Sequence, residues 1–301
     1  MTHTPYIWAD GQLRSWNDVT IPVITHALHY GTSVFEGVRV YPTRSGAAIF
    51  RLEDHLKRLL YSAHTLQMVV PYSLAELVQA TVALLEQNQL RSGYIRPLIT
   101  YGEDHMSLLT DVQTPVHVYL AAWPWPSLLG DQPLRVQVSS WRRIPPTSSD
   151  PAAKVGGLYV TSTLATRAAQ AAGYDEAIML DQSGYLAEGP GENVFFVRDG
   201  VVYTPQTGSL LPGITRDSIM TMCRDQGLTV REVQWLPTEL ATVQEGFFTG
   251  TAAEVAPIAS VDDIQFSKSY GPVTRQLHDQ YLQIVQGEDD RYLNWLTQIH
   301  V

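Results

Sequence analysis

The sequence predicts a mixed α/β fold, and three observations support that prediction. Strand-like and helix-like segments alternate along the first half of the chain. The length of 301 residues corresponds to two domains at roughly 150 residues each. A proline-rich stretch, residues 123–133, separates residues 1–122 from residues 134–301 and has the composition of an interdomain connection.

Local signals place the elements of the first half. Asp10–Gly11 is a hairpin turn signal between two short strands. Apolar residues recur at helical spacing from residue 53 to residue 66, and Ser73 with Glu76 forms a capping box before the next helix. The predicted elements are strands 6–8, 12–14, 33–41 and 47–50, helices 53–66 and 74–89, and strands 94–101 and 116–123.

The second half begins with a strand and a loop of three prolines that leads to Lys154. An alanine-rich helix follows and ends at Gly173. The predicted elements are strands 134–140, 175–181, 193–198, 201–204, 228–235 and 246–249, and helices 158–172, 215–226, 272–285 and 289–299.

Composition excludes several classes of function. The formal net charge is −10 and no basic stripe is present, which argues against nucleic acid as a partner. The single cysteine, Cys223, cannot form a disulfide within the chain, and it fits a small core residue in a reducing compartment. No secretory signal and no apolar stretch of membrane-spanning length is evident. We therefore expect a cytoplasmic protein that acts on small molecules.

Lys154 is the most informative single residue. The chain has only two other lysines, Lys57 and Lys268, and the neighbours of Lys154 in residues 151–159 are small or apolar. Burial disfavours the charged form of an amine, and a lysine whose pKa is lowered in this way can form a Schiff base. A lysine in a surface loop is the commoner finding when such a segment is taken alone.

Four further features favour the Schiff-base lysine over the surface-loop lysine. Glu188 precedes an apolar strand, and residues 210–216 place a glycine turn before a helix whose free N–H groups can bind an anion. Residues 248–253 form a strand that runs into a Gly-Thr turn, and Arg58 can add a bidentate charge. Each feature alone also fits an ordinary turn, cap or solvated face. Pyridoxal phosphate, however, needs all of them: an amine, an acid beside the pyridine nitrogen and a phosphate cradle.

Competing chemistries have weaker support. The sequence contains no His-Glu-x-x-His or paired Cys-x-x-Cys pattern for zinc, no Gly-x-Ser-x-Gly elbow and no Gly-x-x-x-x-Gly-Lys phosphate loop. His26 and His29 share a helical spacing but lack further ligands, so they fit structural histidines. We expect no metal.

Six segments resemble the branched-chain amino acid aminotransferases of the fold-type IV pyridoxal phosphate enzymes. They occur in family order and span nearly the whole chain. The resemblance implies a smaller N-terminal α/β domain, a larger C-terminal α/β domain with a barrel-like sheet, and a homodimer or a multiple of dimers. The segments are HALHYGTSVFEGVR at 26–39, YIRP at 94–97, AAKVGG at 152–157, EGPGEN at 188–193, LPGITR at 211–216 and GTAAE at 250–254.

The resemblance also implies roles for individual residues. Lys154 would form the Schiff base with the cofactor, Glu188 would contact the pyridine nitrogen, and Tyr159 would bond the ring oxygen. The phosphate residues would be Arg58 and the backbone at Ile214, Thr215, Gly250 and Thr251. The substrate residues would be Tyr94 with Thr251 and Ala252 for the α-carboxylate, Tyr30 and Arg96 for the distal carboxylate of glutamate, and Phe35, Trp125 and Tyr159 for a branched side chain.

The implied activity is transfer of the amino group of L-leucine, L-isoleucine or L-valine to 2-oxoglutarate in a ping-pong reaction. D-amino acid aminotransferases and aminodeoxychorismate lyases would share Lys154 and Glu188 but use other pocket residues. A cofactor-free Schiff-base lyase and a non-enzymatic anion-binding protein are the alternatives from other classes.

Two features bear on substrate preference. A buried arginine without a partner is costly, so we expect Arg96 to rest against Tyr30 or a water molecule when an apolar substrate is bound. The loop at residues 101–110 lacks the Gly-Met-Gly run common in the family, where this loop reaches the neighbouring subunit's active site, and Leu128 stands where relatives often have tyrosine.

Overall fold

The computed structural model describes residues 3–103, 107–125, 132–266 and 270–301. The chain divides into two compact units. The first contains Met1–Pro126, Ala153–Gly157 and Gln283–Val301, and the second contains Ser127–Ala152 and Leu158–Leu282. The predicted division had placed residues 153–157 and 283–301 in the second domain. The predicted connection at 123–133 stays a prediction, because residues 126–131 lie outside the described residues.

The elements follow the predicted alternation of strands and helices. Up to residue 123 they are β1 Tyr6–Ala9, β2 Gln12–Ser15, α1 His26–Tyr30, β3 Ser33–Phe35, β4 Val38–Thr43, β5 Gly46–Phe50, α2 Leu52–Thr65, α3 Leu74–Asn88, β6 Gly93–Tyr101 and β7 Val116–Trp123. They continue with β8 Leu134–Arg142, α4 Tyr159–Ala171, β9 Glu176–Leu180, β10 Leu186–Glu188, β11 Asn193–Arg198, β12 Val201–Pro205, α5 Ile214–Asp225, β13 Val230–Val233, β14 Glu245–Gly250, β15 Glu254–Val261, β16 Ile264–Gln265, α6 Pro272–Val285 and β17 Leu296–Ile299.

An antiparallel sheet forms the first unit. Its order is β17-β5-β4-β6-β7-β1-β2, and β3 also pairs with β6. The predicted hairpin is confirmed: β1 pairs with β2, and Asp10 and Gly11 both have positive φ, at 47° and 90°. Positive φ at both central residues is what a tight turn between twisted strands requires, and Asp-Gly supplies it at little cost.

The predicted strand 33–41 is interrupted in the structure. β3 ends at Phe35 and β4 begins at Val38, so Glu36 and Gly37 lie in a break. A Cβ at Gly37 would lie 1.8 Å from the hydroxyl of Tyr94, so a larger residue here would require the buried ring of Tyr94 to shift. The break carries Glu36 out of the strand while its N–H still donates to the carbonyl of Pro97 at 2.9 Å.

Two helices cover this sheet, and both were predicted. The capping box of Ser73 and Glu76 at the start of α3 is confirmed. The buried face of α2 is mainly leucine, and burial of each such side chain contributes about 1.5–3 kcal/mol. Two polar residues, His55 and Ser62, interrupt that face and are almost completely buried. Buried polar groups of this kind need hydrogen-bond partners, which the site below supplies.

The predicted helix 289–299 is wrong. A 3₁₀ segment, Asp290–Trp295, leads into β17, and β17 pairs antiparallel with β5. The apolar residues Tyr292, Trp295 and Ile299 have a spacing that fits a helix. The unpaired edge of β5 can accept another strand, however, and Leu296–Ile299 pairs with it as β17.

A second sheet forms the core of the second unit. Its order is β10-β9-β8-β15-β14-β11-β12-β13, with β16 paired to β15. β8 runs parallel to β9 and β15, β12 runs parallel to β13, and the other pairs are antiparallel. β10, at one end of this order, also contacts β11 and β12, so the sheet curls as the barrel-like expectation requires.

Three strands of this sheet were not predicted: β10, β15 and the two-residue β16. β15 contains Pro257, and a proline in a run of apolar residues argues against a central strand. β10 has three residues and ends at Glu188. None of the helices in the described part of the chain combines the length and the apolar character needed to span a bilayer.

Candidate active site

Lys154 is fixed through its backbone on two sides. Its carbonyl accepts the N–H of Phe35 on β3 at 3.1 Å, and its N–H donates to Oγ of Ser62 on α2 at 2.9 Å. Three residues later the N–H of Gly157 donates to the carbonyl of Gly31 at 3.1 Å, and a Cβ on Gly31 would lie 2.8 Å from Cα of Gly157. Only glycines permit this approach of two backbones, so the lysine segment is held against β3 and α1.

The side chain of Lys154 lies at an aromatic wall and not in open solvent. The residue is half-buried, and its Nζ lies 4.9 Å from the ring centroid of Phe35. The guanidinium carbon of Arg96 lies 4.8 Å from the centroid of the same ring. Lys154 and Arg96, two of the predicted site residues, therefore contact the same phenylalanine ring.

Arg96 contacts Tyr94 in the structure, and the expectation that it rests against Tyr30 or a water molecule when an apolar substrate is bound stays a prediction. Its Nη2 donates to the hydroxyl of Tyr94 at 3.3 Å, and its guanidinium also lies over the Tyr94 ring at 5.4 Å. Residues 94 and 96 are two apart on β6 and face the same side of the sheet, which explains the pairing. Tyr30 instead packs on His26 at 4.6 Å and is 39% exposed. Nε of Arg96 is buried without a hydrogen-bond partner among the described residues.

Tyr94 continues the aromatic wall. Its ring packs edge-on against Trp125 at 4.6 Å and tilted against Trp123 at 5.5 Å. The carbonyl of Trp125 accepts Nη2 of Arg39 at 3.3 Å. The structure thus brings together Phe35, Tyr94 and Trp125 within the first unit. Arg96, whose Nε has no hydrogen-bond partner among the described residues, contacts the rings of Phe35 and Tyr94.

A buried carboxylate orients Arg58. Nε and Nη2 of Arg58 donate to the two oxygens of Glu36 at 2.6 and 2.9 Å, and Nδ1 of His55 donates to the second oxygen at 2.7 Å. This bidentate geometry fixes the plane of the guanidinium. Sequence reasoning did not find Glu36 or His55, although Glu36 lies in a recognised motif and His55 precedes Arg58 by one helical turn.

The charge states of this cluster follow from its burial. Burial alone would raise the pKa of Glu36, but Arg58 and His55 outweigh it and hold that pKa well below its ordinary value. Burial lowers the pKa of His55, and the charges of Arg58 and Lys154 add to this effect against the opposing effect of Glu36. Near neutral pH the cluster therefore contains an ionised Glu36 and a neutral His55. Because a carboxylate only accepts hydrogen bonds, the imidazole proton lies on Nδ1.

Glu188 lies in the second unit, at the end of β10, and is 4% exposed. Nη2 of Arg143 lies 2.9 Å from one of its oxygens, and the side-chain amide of Asn193 donates to the other at 3.0 Å. The N–H of Leu211 donates to both at 3.2 Å. The alternative that Glu188 is a solvated turn residue is therefore wrong. Sequence reasoning did not find Arg143 or the role of Asn193, although Asn193 ends the motif that begins at Glu188.

The N-terminus of α5 is suited to an anion. Gly213 is its N-cap and supplies no side-chain cap, so the first N–H groups at Ile214 and Thr215 keep their donor capacity. A Cβ at Gly213 would lie 1.9 Å from Oδ1 of Asn193, so a capping serine or aspartate here would displace the side chain that bonds to Glu188. In the same unit β14 ends at Gly250, and the preceding Thr249 has a buried hydroxyl without a partner among the described residues.

The remaining predicted residues have less distinctive places. Tyr159 begins α4 and is half-buried, as are Thr251 and Ala252 in the turn between β14 and β15. Both histidines of the 26–29 pair make structural contacts, with His26 bonded to Thr32 and to the carbonyl of Ser107. Leu128, Lys268 and residues 104–106 of the divergent loop lie outside the described residues.

The donor set fits pyridoxal phosphate. The chain offers an amine, a buried carboxylate that is already ion-paired, an uncapped helix N-terminus and an oriented arginine, which are the groups that this cofactor needs. Among the described residues no group of three or more histidine, cysteine, aspartate or glutamate side chains could hold a metal ion.

Comparisons with known proteins agree with this donor set. The family described as "Amino-transferase class IV" matches residues 33–261. The chain is 45% identical over 296 residues to the branched-chain-amino-acid aminotransferase of Pseudomonas aeruginosa, with 97% of this chain and 96% of that protein covered. It is 42% identical over 301 residues to the enzyme of the same name from Escherichia coli, with 98% and 97% covered.

Solved structures give the same result. A branched-chain amino acid aminotransferase from T.th., complexed with N-(5'-phosphopyridoxyl)-L-glutamate, has a TM-score of 0.95, 42% sequence identity and full coverage of both chains. The Escherichia coli branched-chain aminotransferase has a TM-score of 0.96 and 41% identity, with 99% of this chain and 100% of that chain covered. The fold-type IV expectation is thereby confirmed, and the chain belongs to the class IV aminotransferase family.

Proposed function

We propose that this protein is a branched-chain amino acid aminotransferase that uses pyridoxal 5'-phosphate. It would transfer the amino group of L-leucine, L-isoleucine or L-valine reversibly to 2-oxoglutarate. The relatives that cover nearly the whole chain carry this name. Related structures of the T.th. enzyme contain a phosphopyridoxyl-glutamate adduct, pyridoxamine 5'-phosphate and 4-methylvaleric acid. The last is a branched aliphatic acid, and the first is a glutamate derivative.

The observation that carries the proposal is the shared contact of Lys154 and Arg96 with the ring of Phe35, at 4.9 and 4.8 Å. An aminotransferase of this kind must accept an apolar and an acidic side chain in one pocket. The aromatic wall of Phe35, Tyr94 and Trp125 stabilises an apolar side chain by burial, at about 0.8 kcal/mol per CH₂. The buried Nε of Arg96 offers an unused donor to the distal carboxylate of glutamate.

Each cofactor group has a candidate partner. Lys154 would bind the aldehyde carbon, and Glu188, anchored by Arg143, would hold a proton on the pyridine nitrogen. Tyr159 would donate to the ring oxygen. Bound pyridoxal phosphate would supply an electron sink for the charge that develops at the substrate Cα. The phosphate would be held by Arg58 and by the backbone N–H groups at Ile214, Thr215, Gly250 and Thr251.

The protein's own contribution to the reaction is proton transfer and orientation. Nζ of Lys154, when neutral, takes the proton from Cα of the substrate and delivers it again as an acid. Tyr94, with the backbone at Thr251 and Ala252, would hold the α-carboxylate. Because the same groups serve the amino acid and then the oxo acid, the two substrates bind in turn, and the kinetics are ping-pong.

Separate incubations with L-leucine and with D-alanine, each with 2-oxoglutarate, test the proposal. We expect glutamate to form with L-leucine and not with D-alanine, and Lys154→Ala to lose at least about 10³-fold in turnover. Faster turnover of D-alanine would favour a D-amino acid aminotransferase. A colourless protein whose spectrum L-leucine does not change would favour a cofactor-free lyase or an anion-binding protein.

We also propose that the enzyme works in the cytoplasm as a homodimer or a multiple of dimers. The family resemblance supports the assembly. The single cysteine, Cys223, cannot form a disulfide within the chain, which supports a reducing compartment. Sedimentation analysis of the purified chain tests the assembly, and a monomer that retains full turnover would contradict it.

A further inference from the structure

Ser62 completes a ring of hydrogen bonds that links Lys154 to Arg58. Its hydroxyl donates to the carbonyl of Arg58 at 2.8 Å, and its oxygen accepts the N–H of Lys154 at 2.9 Å. The ring continues because the carbonyl of Lys154 accepts the N–H of Phe35, and the next residue, Glu36, binds the guanidinium of Arg58. All five residues belong to the first unit.

The hydroxyl of Ser62 has a role that no neighbouring apolar group could take. A hydroxyl has one proton to donate and two lone pairs that accept, so it can serve the carbonyl of Arg58 and the N–H of Lys154 together. Ser62 is 0% exposed, so no solvent replaces it. An alanine here would leave the N–H of Lys154 buried and unsatisfied, and such a group is costly.

The other side of the ring is equally fixed. Glu36 is 0% exposed and receives hydrogen bonds from Arg58 and His55, which lie one turn apart on α2. Ser62 lies one further turn along the same helix. The helix therefore carries the guanidinium, the imidazole that supports its carboxylate, and the hydroxyl that holds the lysine backbone.

We propose that Ser62 is a positioning residue that sets the register between Lys154 and Arg58, so that one phosphorylated aldehyde engages both residues at once. The inference rests on the proposed function, since it assumes that Lys154 binds the aldehyde and Arg58 the phosphate. Two arms of one ligand reinforce each other only when their sites have the matching separation, because the second contact is then intramolecular. If the separation of Lys154 and Arg58 changes, binding of a ligand that carries both groups should weaken more than binding of a ligand that carries only one.

Three ligands distinguish the contribution of the aldehyde from that of the phosphate. Each is tested on the full-length chain after removal of its cofactor. Pyridoxal phosphate carries both the aldehyde and the phosphate, pyridoxal carries only the aldehyde, and pyridoxamine phosphate carries only the phosphate. Their dissociation constants can be measured by the absorbance of the Schiff base and by quenching of tryptophan fluorescence. For Ser62→Ala we expect about tenfold weaker binding of pyridoxal phosphate and less than about twofold change for the other two ligands.

Thr81→Val is the matched control. The hydroxyl of Thr81 on α3 is also 0% exposed and also donates to the carbonyl four residues earlier, at 2.8 Å, but it has no bond to the Lys154 segment. We expect its three dissociation constants to match those of the unaltered chain. In the Arg58→Ala background, Ser62→Ala should no longer affect binding of pyridoxal phosphate beyond its effect on pyridoxal, because the phosphate arm is then already lost.

The outcomes are distinguishable. Equal loss for all three ligands, or no loss for pyridoxal phosphate, overturns the role of Ser62. If Ser62→Ala does not fold, Ser62→Cys decides: its weaker hydrogen bonds should weaken pyridoxal phosphate selectively, and an unchanged or uniform profile overturns the inference. An unaltered chain that forms no adduct with pyridoxal phosphate at Lys154 contradicts the proposed function itself, whereas normal adduct formation with an unselective Ser62 variant contradicts only this inference.

Discussion

Glu36 and Glu188 are both buried carboxylates beside an arginine, but their partners come from different parts of the chain. Glu36 is bound by His55 and Arg58, two side chains from one helix. Glu188 is bound by Arg143, Asn193 and the N–H of Leu211, which come from three separate segments. The first arrangement makes a rigid local clamp. The second anchors an acid where three chain segments meet, and such an acid fits a role toward a bound group.

The largest effect is expected when the contacts of Glu36 with Arg58 and His55 are broken. Glu36→Gln removes the charge that Arg58 and His55 share, and loss of one partner of a buried ion pair costs about 3–5 kcal/mol of folding free energy. We expect a marked fall in the unfolding temperature. Glu53→Gln is the control on the same helix, because Glu53 pairs with Lys57 in solvent and such pairs contribute about 0–1 kcal/mol. Similar unfolding temperatures for the two variants would remove the distinction.

Glu188→Gln tests the second carboxylate. The amide keeps much of the hydrogen bonding with Asn193 and Leu211 but cannot hold a proton on the pyridine nitrogen. We expect kcat for L-leucine to fall by about 10²–10³-fold, which is the usual effect of removing one preorganised electrostatic contact. The unfolding temperature of the cofactor-free chain should fall less than in Glu36→Gln. Near-normal turnover would show that both glutamates are structural.

Arg96→Ala tests selection between substrates. The arginine would bind the distal carboxylate of glutamate but only borders an apolar substrate. We therefore expect kcat/KM for glutamate to fall about 10–100-fold more than kcat/KM for leucine, the effect of a lost charge-assisted contact of about 1.5–3 kcal/mol. Arg91→Ala provides a control, because Arg91 is exposed and its guanidinium donates hydrogen bonds to the carbonyl of Val301. Equal losses with both amino acids would contradict the assignment.

The smallest effect is a pH dependence of stability. The pKa values of Glu36 and His55 are both lowered in the folded state, so the folded chain binds fewer protons than the unfolded chain once pH falls below the unfolded values. Their contribution is fully present above pH 6.5, the ordinary value of histidine, and declines as pH falls below it. Between pH 7.5 and 5.5 we expect a loss of about 1 kcal/mol, measured by thermal unfolding.

His55→Gln should remove most of the decline between pH 7.5 and 5.5. His64→Gln on the same helix should keep it, because His64 is exposed. An equally steep decline in His55→Gln would show that other groups carry the effect.

Local chemistry made part of this molecule predictable. The Asp10–Gly11 turn and the Ser73–Glu76 capping box were found because each signal lies within a few residues. β15 was missed because Pro257 argues against a strand, and β17 because its partner β5 lies about 250 positions earlier in the chain. The candidate site divides in the same way: Lys154 and Glu188 could be found from motifs.

The partners of those residues could not be found in this way. The bonds of Arg143 to Glu188, and of Ser62 to Lys154, join positions that only the folded chain brings together. A motif identifies a residue type at a position, but its hydrogen-bond partners depend on the tertiary fold.

The approach of Gly31 to Gly157 affects how a mutational scan of this enzyme should be interpreted. Neither residue has a functional group, yet any side chain at Gly31 would collide with the backbone beside the lysine and displace it from β3. A substitution at Gly31 should therefore reduce turnover about as much as loss of the amine itself. Such intolerance would reflect the close contact of two backbones, because neither Gly31 nor Gly157 carries a reactive group.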